Sequence, residues 1–376
     1  REVMPFSQWK QTRQAIAKKR TQMSRIHPWI LALLVAGMGA LCGCSTAPTH
    51  YAYVTLSNDQ VGAYLVDNSS GKLTALAGSP YATGAFPTSI VVHPSGKFAY
   101  VANNGEGDIS EFAINAGTGA LREAQTRFVT GRNPSSLAIG PDGHGLFVAN
   151  SGSGTVSVFS INPTSGSLSP ISGSPFASGI SPVALVISAS GTLYVADSAS
   201  DVIFAFAINS STGSLTAVAG SPFAVGGRNP TSLAIDASGH FLYASNLLSN
   251  TISGFAIGAN GGLTQIPGSP FAAKSAPISV AAASSGELIY VANQGANSLS
   301  RFAVGGNGAL TPAGSSLPVG HSPVFVAPDS VGNYLFVGNG LSQSLSEFAV
   351  SASGLTSVAQ SPYATASAPT SLATTK

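Results

Sequence analysis

The chain has 376 residues, of which 44% are hydrophobic and only 8% are charged. Soluble domains carry about 25% charged residues, so the surface of this protein must be polar but nearly uncharged. Residues 1–25 hold seven of the 16 Lys and Arg and one of the 14 Asp and Glu, so the remainder has nine basic and 13 acidic side chains. That charge balance excludes a basic nucleic-acid-binding domain after residue 25. The hydrophobic content excludes a disordered chain.

The amino-terminal region has the layout of a secretory signal peptide. Arg25 precedes a 12-residue apolar run at 30–41, which is too short to span a bilayer comfortably. Small residues follow the run, as at a cleavage site. Met23 is the better start for such a signal, so we interpret residues 1–22 as an upstream extension.

The run ends in Leu41-Cys42-Gly43-Cys44, which resembles the bacterial lipobox. The resemblance implies a lipoprotein signal peptide at 23–43, a lipid on Cys44 and a short tether at 44–50. It also implies secretion across the inner membrane and anchoring at the outer membrane or cell surface. The alternative is ordinary cleavage without lipidation. Both cysteines lie here, so the rest of the chain can form neither a disulfide nor a thiolate metal site.

One four-residue pattern recurs seven times along the remaining chain. Tyr100-Val-Ala-Asn103 is one copy, and the first residues of the copies are 53, 100, 147, 194, 243, 290 and 336. The steps of 46 to 49 residues indicate a repeat architecture. Stacked repeats can form one body, so we predict a single domain at 51–376 although the length alone suggests two or three.

Each repeat predicts four short strands, which we name a to d from the axis outward. In the unit 230–276, runs of strand-forming residues alternate with the turn segments 236–239 and 259–262. Four strands per repeat of about 47 residues are typical of a propeller blade. The fold prediction is therefore all-β, a seven-bladed β-propeller of four-stranded antiparallel blades.

A second motif, Gly-Ser-Pro-Phe/Tyr, recurs at 78–81, 173–176, 220–223 and 268–271, with a variant at 361–363. Proline cannot donate to a central ladder, so the motif belongs on the outer strand d, where it also discourages edge-to-edge pairing. A repeated binding motif for a partner is the alternative.

The ring is predicted to close through the C-terminus. The body begins at strand b with residues 51–54, whereas 369–375 matches strand a. Because the first blade lacks its own strand a, the segment 369–375 should pair with the N-terminal blade (51–79).

Loops of one face converge on the mouth of the central channel. The b–c and d–a loops share this face, whereas the uniform a–b and c–d turns share the other. Ligands of such folds bind where loops converge. The candidate ligand-binding residues are Arg132, Arg228 and His321, in the d–a loops, and Asp197, Asn103, Asn150, Asn246, Asn293 and Asn339, which end strand b. For the Asn set, capping of the following turn is the alternative.

Catalytic patterns are sparse. His93, His144 and His240 lie in or beside a–b turns on the face opposite the mouth, which leaves His321 alone near it. This predicts no metal site and no cofactor, and no nucleophile elbow is present. The sequence also contains no sign of an oligomer, so we expect a monomer.

The repeats resemble the YVTN-type seven-bladed propellers and the wider lactonase family, which includes 6-phosphogluconolactonase-like propellers. The resemblance covers 51–376 and implies this fold. Family enzymes commonly begin two inner strands with segments of the type Pro-Arg-His. The matching stretches here are Pro230-Thr231-Ser232 and Pro182-Val183-Ala184, so no catalytic residue is carried over.

The sequence is compatible with three functions. The first is a lipid-anchored scaffold of the cell envelope that binds a small molecule, carbohydrate or protein at the channel mouth. The second is a lactone hydrolase using Arg132, Arg228, His321 and a carboxylate such as Asp197. The third is a structural surface-layer component, suggested by the uncharged exterior.

Overall fold

The protein is described here by a computed structural model, in which residues 50–284, 287–351 and 354–376 are described. The predicted extension 1–22, the signal peptide 23–43 and Cys44 lie outside the described residues, as does all of the tether except His50. Within the described ranges, no helix is long and apolar enough to cross a membrane.

The described residues form seven antiparallel sheets, which are the seven predicted blades. Blade 1 contains β1 (His50–Leu56), β2 (Gln60–Val66), β3 (Leu73–Ala75), β4 (Tyr81–Ala82) and β35 (Pro369–Thr374). Blade 2 contains β5 (Pro87–Val92), β6 (Phe98–Asn103), β7 (Asp108–Ile114), β8 (Leu121–Glu123) and β9 (Phe128–Val129). Blade 3 contains β10 (Pro134–Ile139), β11 (Gly145–Asn150), β12 (Thr155–Ile161), β13 (Leu168–Pro170) and β14 (Phe176–Ala177). Blade 4 contains β15 (Pro182–Ile187), β16 (Thr192–Asp197), β17 (Val202–Ile208), β18 (Leu215–Ala217) and β19 (Phe223–Ala224).

Blade 5 contains β20 (Pro230–Ile235), β21 (Phe241–Asn246), β22 (Thr251–Ile257), β23 (Leu263–Gln265) and β24 (Phe271–Ala272). Blade 6 contains β25 (Pro277–Ala282), β26 (Leu288–Asn293), β27 (Ser298–Val304), β28 (Leu310–Pro312) and β29 (Leu317–Pro318). Blade 7 contains β30 (Pro323–Pro328), β31 (Tyr334–Asn339), β32 (Ser344–Ser351), β33 (Gly354–Ser357) and β34 (Tyr363–Ala364). Each inner strand contacts the next blade's inner strand, and β30 contacts β35, which completes the ring.

Closure by the C-terminal strand is confirmed. Strand β35 pairs antiparallel with β1, with Val54 opposite Leu372. The Tyr51 backbone N–H donates to the Thr375 hydroxyl at 3.0 Å. The first blade therefore obtains its strand a from the far end of the chain, and the apolar edge of β1 is covered.

The outer strand of each blade is divided into two segments, both of which pair with strand c. The Gly-Ser-Pro motif lies in the interruption. In blade 5 the Ser269 hydroxyl accepts the Gly254 backbone N–H at 2.9 Å, which replaces the missing ladder partner on strand c. The serines Ser79, Ser174, Ser221 and Ser361 make the equivalent bond in their own blades at 2.8 to 2.9 Å. The preceding Gly268 has a φ of 85°, a conformation that glycine adopts without steric cost. The motif is thus explained by blade structure.

The core lies between blades. In the described part of the chain, the buried apolar side chains form seven clusters, one at each junction between neighbouring blades. The aromatic residue of the repeat is central to them: Tyr100 and Tyr243 are both 0% exposed. Burying such a ring contributes roughly 1.5–3 kcal/mol, so packing accounts for the Tyr-Val-Ala part of the repeat.

Candidate functional site

The loops at the predicted mouth are held by backbone bonds that recur from blade to blade. In blade 5, the N–H groups of Leu247 and Leu248 donate to the carbonyls of Asn229 and Arg228. The d–a loop therefore pairs with the b–c loop of its own blade. This pairing places Arg132, Arg228 and His321 at one structural position in blades 3, 5 and 7, and each of their backbone N–H groups donates to a b–c loop hydroxyl, that of Ser153, Ser249 or Ser342.

A second set of bonds joins each b–c loop to the next blade. Asp201, the last residue of its loop, has a φ of 57°. Its carboxylate accepts the Asn229 backbone N–H at 2.6 Å. Asn297 has a φ of 48° and accepts the Ser322 N–H at 2.7 Å. Asp and Asn tolerate this left-handed conformation better than most residues. The loops that carry Arg228 and His321 are therefore fixed from two sides.

The five asparagines that end strand b point into their own blades. The Asn246 amide donates to the hydroxyls of Ser253 and Thr251 at 2.8 and 3.1 Å. Asn103, Asn150, Asn293 and Asn339 also donate to strand c, and all five are 0% exposed. The side-chain oxygens of Asn246, Asn293 and Asn339 have no hydrogen-bond partner among the described residues. The structure thus places these predicted ligand contacts in the blade interior, where they hold strands b and c together.

Asp197 occupies the asparagine position in blade 4 and is also 0% exposed. One carboxylate oxygen accepts the backbone N–H groups of Ile180 and Ser181. The other accepts those of Ala199 and Ser200 at 3.0 and 2.9 Å. Because four backbone donors already satisfy this carboxylate, the structure does not present it as a general base at the mouth.

Arg132, Arg228 and His321 are exposed. Within the described ranges their side chains make no hydrogen bond or ion pair, whereas Arg127 pairs with Glu106 and Glu123. They stand on alternate blades of the ring. The structure therefore leaves two guanidinium groups and one imidazole without a partner among the described residues, on the loop face at which ligand binding is predicted.

The channel wall itself contributes no ionisable group. None of the seven inner strands carries a charged residue or a histidine. At the position matched to the family's Pro-Arg-His segments, the Thr231 hydroxyl donates to the Ile278 carbonyl at 2.8 Å. The Ser232 hydroxyl accepts the Val280 N–H at 3.2 Å. These hydroxyls hydrogen-bond to the neighbouring blade. Any catalytic group at this face would therefore have to be supplied by the loops.

The same face carries exposed apolar side chains that the sequence analysis missed. Phe86 and Ile180 lie in d–a loops and are 65% and 69% exposed. Leu248 and Leu341 lie in b–c loops, each bonded through its backbone to the loop of Arg228 or His321. The presence of a hydrophobic residue within a polar b–c loop could have indicated these positions. Whether such a side chain is exposed, however, depends on the conformation of the folded loop.

A buried ionisable cluster lies at the opposite face, where blades 7 and 1 meet. His50 Nδ1 is 3.9 Å from an Asp329 carboxylate oxygen. Burial lowers the pKa of His50 and raises that of Asp329. Glu347 is 0% exposed, and burial together with the Asp329 charge raises its pKa to about 8. The cluster joins residues nearly 300 positions apart, and sequence spacing did not reveal it.

No group of three or more His, Cys, Asp or Glu side chains suited to a metal ion occurs among the residues that the structure describes. The His93 ring is occupied structurally, since its nitrogens contact the Ser95 hydroxyl and the Gly143 carbonyl at 2.8 and 2.9 Å.

Comparisons with known proteins place these observations in context. The family model described as lactonase, 7-bladed beta-propeller, matches residues 46–183, 171–276 and 263–371. A search of curated protein sequences finds no match to the chain.

Among solved structures, the chain is similar to a proposed 6-phosphogluconolactonase from Bacteroides uniformis, with 20% identity, a TM-score of 0.77, and coverage of 87% of this chain and 100% of that one. A second, from Bacteroides fragilis, has 22% identity, a TM-score of 0.76 and coverage of 88% and 99%. The periplasmic gluconolactonase of Pseudomonas aeruginosa has 21% identity, a TM-score of 0.75 and coverage of 87% and 99%. Similarity at this level of identity establishes the fold alone.

Proposed function

Because the chain belongs to the lactonase family of seven-bladed β-propellers, we propose that it hydrolyses a sugar lactone at the loop face. The observation that carries the proposal is the set of three exposed, unpaired side chains, Arg132, Arg228 and His321, on hydrogen-bonded loops above an uncharged channel. Three of its structural neighbours are described as gluconolactonases or 6-phosphogluconolactonases, which supports a sugar lactone as the substrate.

The proposed reaction needs no redox step. Water adds to the lactone carbonyl, the ring C–O bond breaks, and a hydroxy acid leaves. The His321 imidazole would accept the proton of the attacking water and return it to the ring oxygen as the C–O bond breaks. Guanidinium groups at Arg132 and Arg228 would stabilise the negative charge that develops on the carbonyl oxygen and bind the carboxylate or phosphate of the ligand. Asp197 has no role in this scheme because its carboxylate is already satisfied by backbone donors.

The test is hydrolysis of glucono-δ-lactone and 6-phosphogluconolactone by the purified protein, with spontaneous hydrolysis subtracted. Loss of a general base costs about 10²–10⁴-fold in rate, so His321→Ala should lose at least 100-fold in kcat/KM. Arg228→Ala should lose activity mainly through KM if it binds the anionic part of the substrate.

Lys274→Ala is the matched control, since Lys274 is an exposed cation in the corresponding d–a loop of blade 6. A wild-type rate equal to the spontaneous rate on both lactones would eliminate the hydrolase. Equal losses of activity in the Lys274 and Arg228 variants would show that the effect on activity comes from general surface charge and not from this site.

A second candidate is the binding scaffold, favoured by the exposed side chains of Phe86, Ile180, Leu248 and Leu341. A contiguous exposed apolar patch marks an interaction surface, and the scaffold hypothesis gives that role to these four side chains together. The dye 1-anilinonaphthalene-8-sulfonate should bind this face, and a Leu248→Ser, Leu341→Ser double variant should lose that binding. A scaffold without lactonase activity is the expected result if the hydrolase test fails and the dye test succeeds.

A lipid at Cys44 and placement at the cell envelope are part of the same proposal. The lipobox resemblance in 41–44 supports them.

A further inference from the structure

A cavity of about 460 Å³ lies between blades 3 and 4, on the face of the a–b and c–d turns. It is on the opposite side of the ring from the proposed lactone site. Phe147, Val158, Ile171 and Ile208 form much of its apolar wall, and Asp142 and His144 stand at its rim. Both rim residues are exposed, so the cavity opens to solvent.

The cavity exists because one blade lacks a large side chain that most of the others have. The position two residues before the repeat's Tyr or Phe is occupied by Tyr51, Phe98, Gly145, Thr192, Phe241, Leu288 and Tyr334 in blades 1 to 7. Blade 3 alone has glycine there.

At four junctions this side chain is an aromatic ring that covers a glycine of the next blade's c–d turn. A Cβ added to Gly166 would lie 2.5 Å from the Phe98 ring, and one added to Gly308 would lie 2.4 Å from the Phe241 ring. Tyr51 and Tyr334 cover Gly119 and Gly71 in the same way. At the junction of blades 3 and 4, a Cβ added to the corresponding Gly213 would have Ile171 and Val158 as its nearest neighbours, at the wider distances of 3.4 and 3.6 Å.

A hydroxyl group is missing at the same junction. The repeat tyrosine normally donates to the carbonyl of that c–d turn glycine, as Tyr100 does to Gly166 at 2.6 Å and Tyr243 to Gly308 at 2.7 Å. Blade 3 has Phe147 in this place, so the Gly213 carbonyl receives no tyrosine hydroxyl. The junction of blades 3 and 4 therefore lacks both the ring and the hydrogen-bond donor that are present at the junction of blades 2 and 3 and at that of blades 5 and 6.

We propose that this cavity is a binding site for a monocyclic aromatic ligand with one hydrogen-bond donor, of the phenol class. The ring takes the place that Phe98 or Phe241 occupies at other junctions, against Phe147, Val158 and Ile171. The hydroxyl donates to the Gly213 carbonyl, as tyrosines do elsewhere in the ring. An apolar cavity that admits an aromatic ring binds it through buried area and ring packing, and the volume lies in the range of small-molecule sites.

The experiment is calorimetric titration of the full chain with phenol, benzene and cyclohexanol. Phenol should bind with a dissociation constant on the order of 1 mM or lower, given its few heavy atoms. Benzene should bind more weakly because it lacks the donor, and cyclohexanol more weakly because it lacks the planar ring. Gly145→Phe supplies the missing ring from the chain itself and should weaken phenol binding at least tenfold.

Gly306→Phe is the matched control, because the same substitution is made in an exposed turn where an added Cβ meets no atom within 4 Å. It should bind phenol like the wild type. An added Cβ at Gly145 lies 3.1 Å from the Phe147 ring, so if Gly145→Phe does not fold, Ile171→Trp fills the cavity from another position on its wall. Absence of saturable phenol binding, unchanged binding in a folded cavity-filling variant, or equal affinity for cyclohexanol would each overturn the proposal.

Discussion

Replacing Glu347 with glutamine should remove a pH-dependent loss of stability. Glu347 lies on strand c of blade 7, is 0% exposed, and neither carboxyl oxygen has a hydrogen-bond partner among the described residues. Burial, and then the nearby charge of Asp329, raise its pKa from 4.5 to about 8. An ionised carboxylate without a partner is costly in this interior, so the folded protein retains the proton where the unfolded chain has lost it.

The sign and size of the effect follow from proton linkage. The contribution is fully present below pH 4.5, where both states are protonated, and is lost progressively as the pH rises towards about 8. One pKa unit corresponds to about 1.4 kcal/mol, so the upper limit of the loss is roughly 5 kcal/mol of unfolding free energy. Because water and structural relaxation reduce such penalties, we expect at least about 2 kcal/mol.

The assay is urea unfolding of wild type and Glu347→Gln at several pH values between 4 and 9. Asp329 and His50 titrate in both proteins, so the difference between the two curves reports Glu347. The variant should gain stability relative to the wild type as the pH rises. Glu287→Gln, at an exposed carboxylate of the same face, should show no such gain. A difference between wild type and Glu347→Gln that is constant from pH 5 to 9 would refute the raised pKa and the burial argument behind it.

Four further outcomes are expected. Deletion of 369–376 should prevent folding, measured by circular dichroism, because it removes the inner strand of blade 1 and the buried Leu372; a truncated protein with a wild-type melting curve would contradict the closure mechanism. Asn246→Ala should lower the unfolding free energy by about 1–3 kcal/mol, because the buried Ser253 hydroxyl and the half-buried Thr251 hydroxyl lose their donor; an effect confined to ligand binding would indicate that Asn246 contacts a ligand and does not hold the blade together. Phe147→Tyr should raise stability by about 0.5–1.5 kcal/mol by restoring the interblade hydroxyl bond, and a lower denaturant midpoint would show that the hydroxyl does not reach the Gly213 carbonyl. Cys44→Ser should move the protein from the membrane to the soluble fraction of a bacterial host, and unchanged partitioning would exclude a lipid anchor.

The architecture could be predicted from the sequence because its determinants are local and repeated. Strand alternation, turn residues and the spacing of the Tyr-Val-Ala-Asn copies each act within one blade, and their repetition leaves only the number of blades to be counted. The closure of the ring could also be predicted from the sequence. The first blade lacks its own strand a, and a segment that matches strand a lies at the C-terminus. The division of strand d was missed, because the serine that replaces its ladder bond acts on strand c through tertiary contact.

The roles of individual polar residues depended on the tertiary structure. Asn246 faces its own blade because its amide donates to the hydroxyl of Ser253, seven residues later on the neighbouring strand. The sequence alone is compatible with this arrangement and with one in which Asn246 contacts a ligand. The pairing of His50 with Asp329 requires the ring to close, and the cavity beside Gly145 requires that blade 3 pack against the turn at Gly213 of blade 4. Sequence periodicity specifies each blade, whereas sites formed between blades depend on side chains far apart in the chain, which only the packed ring brings together.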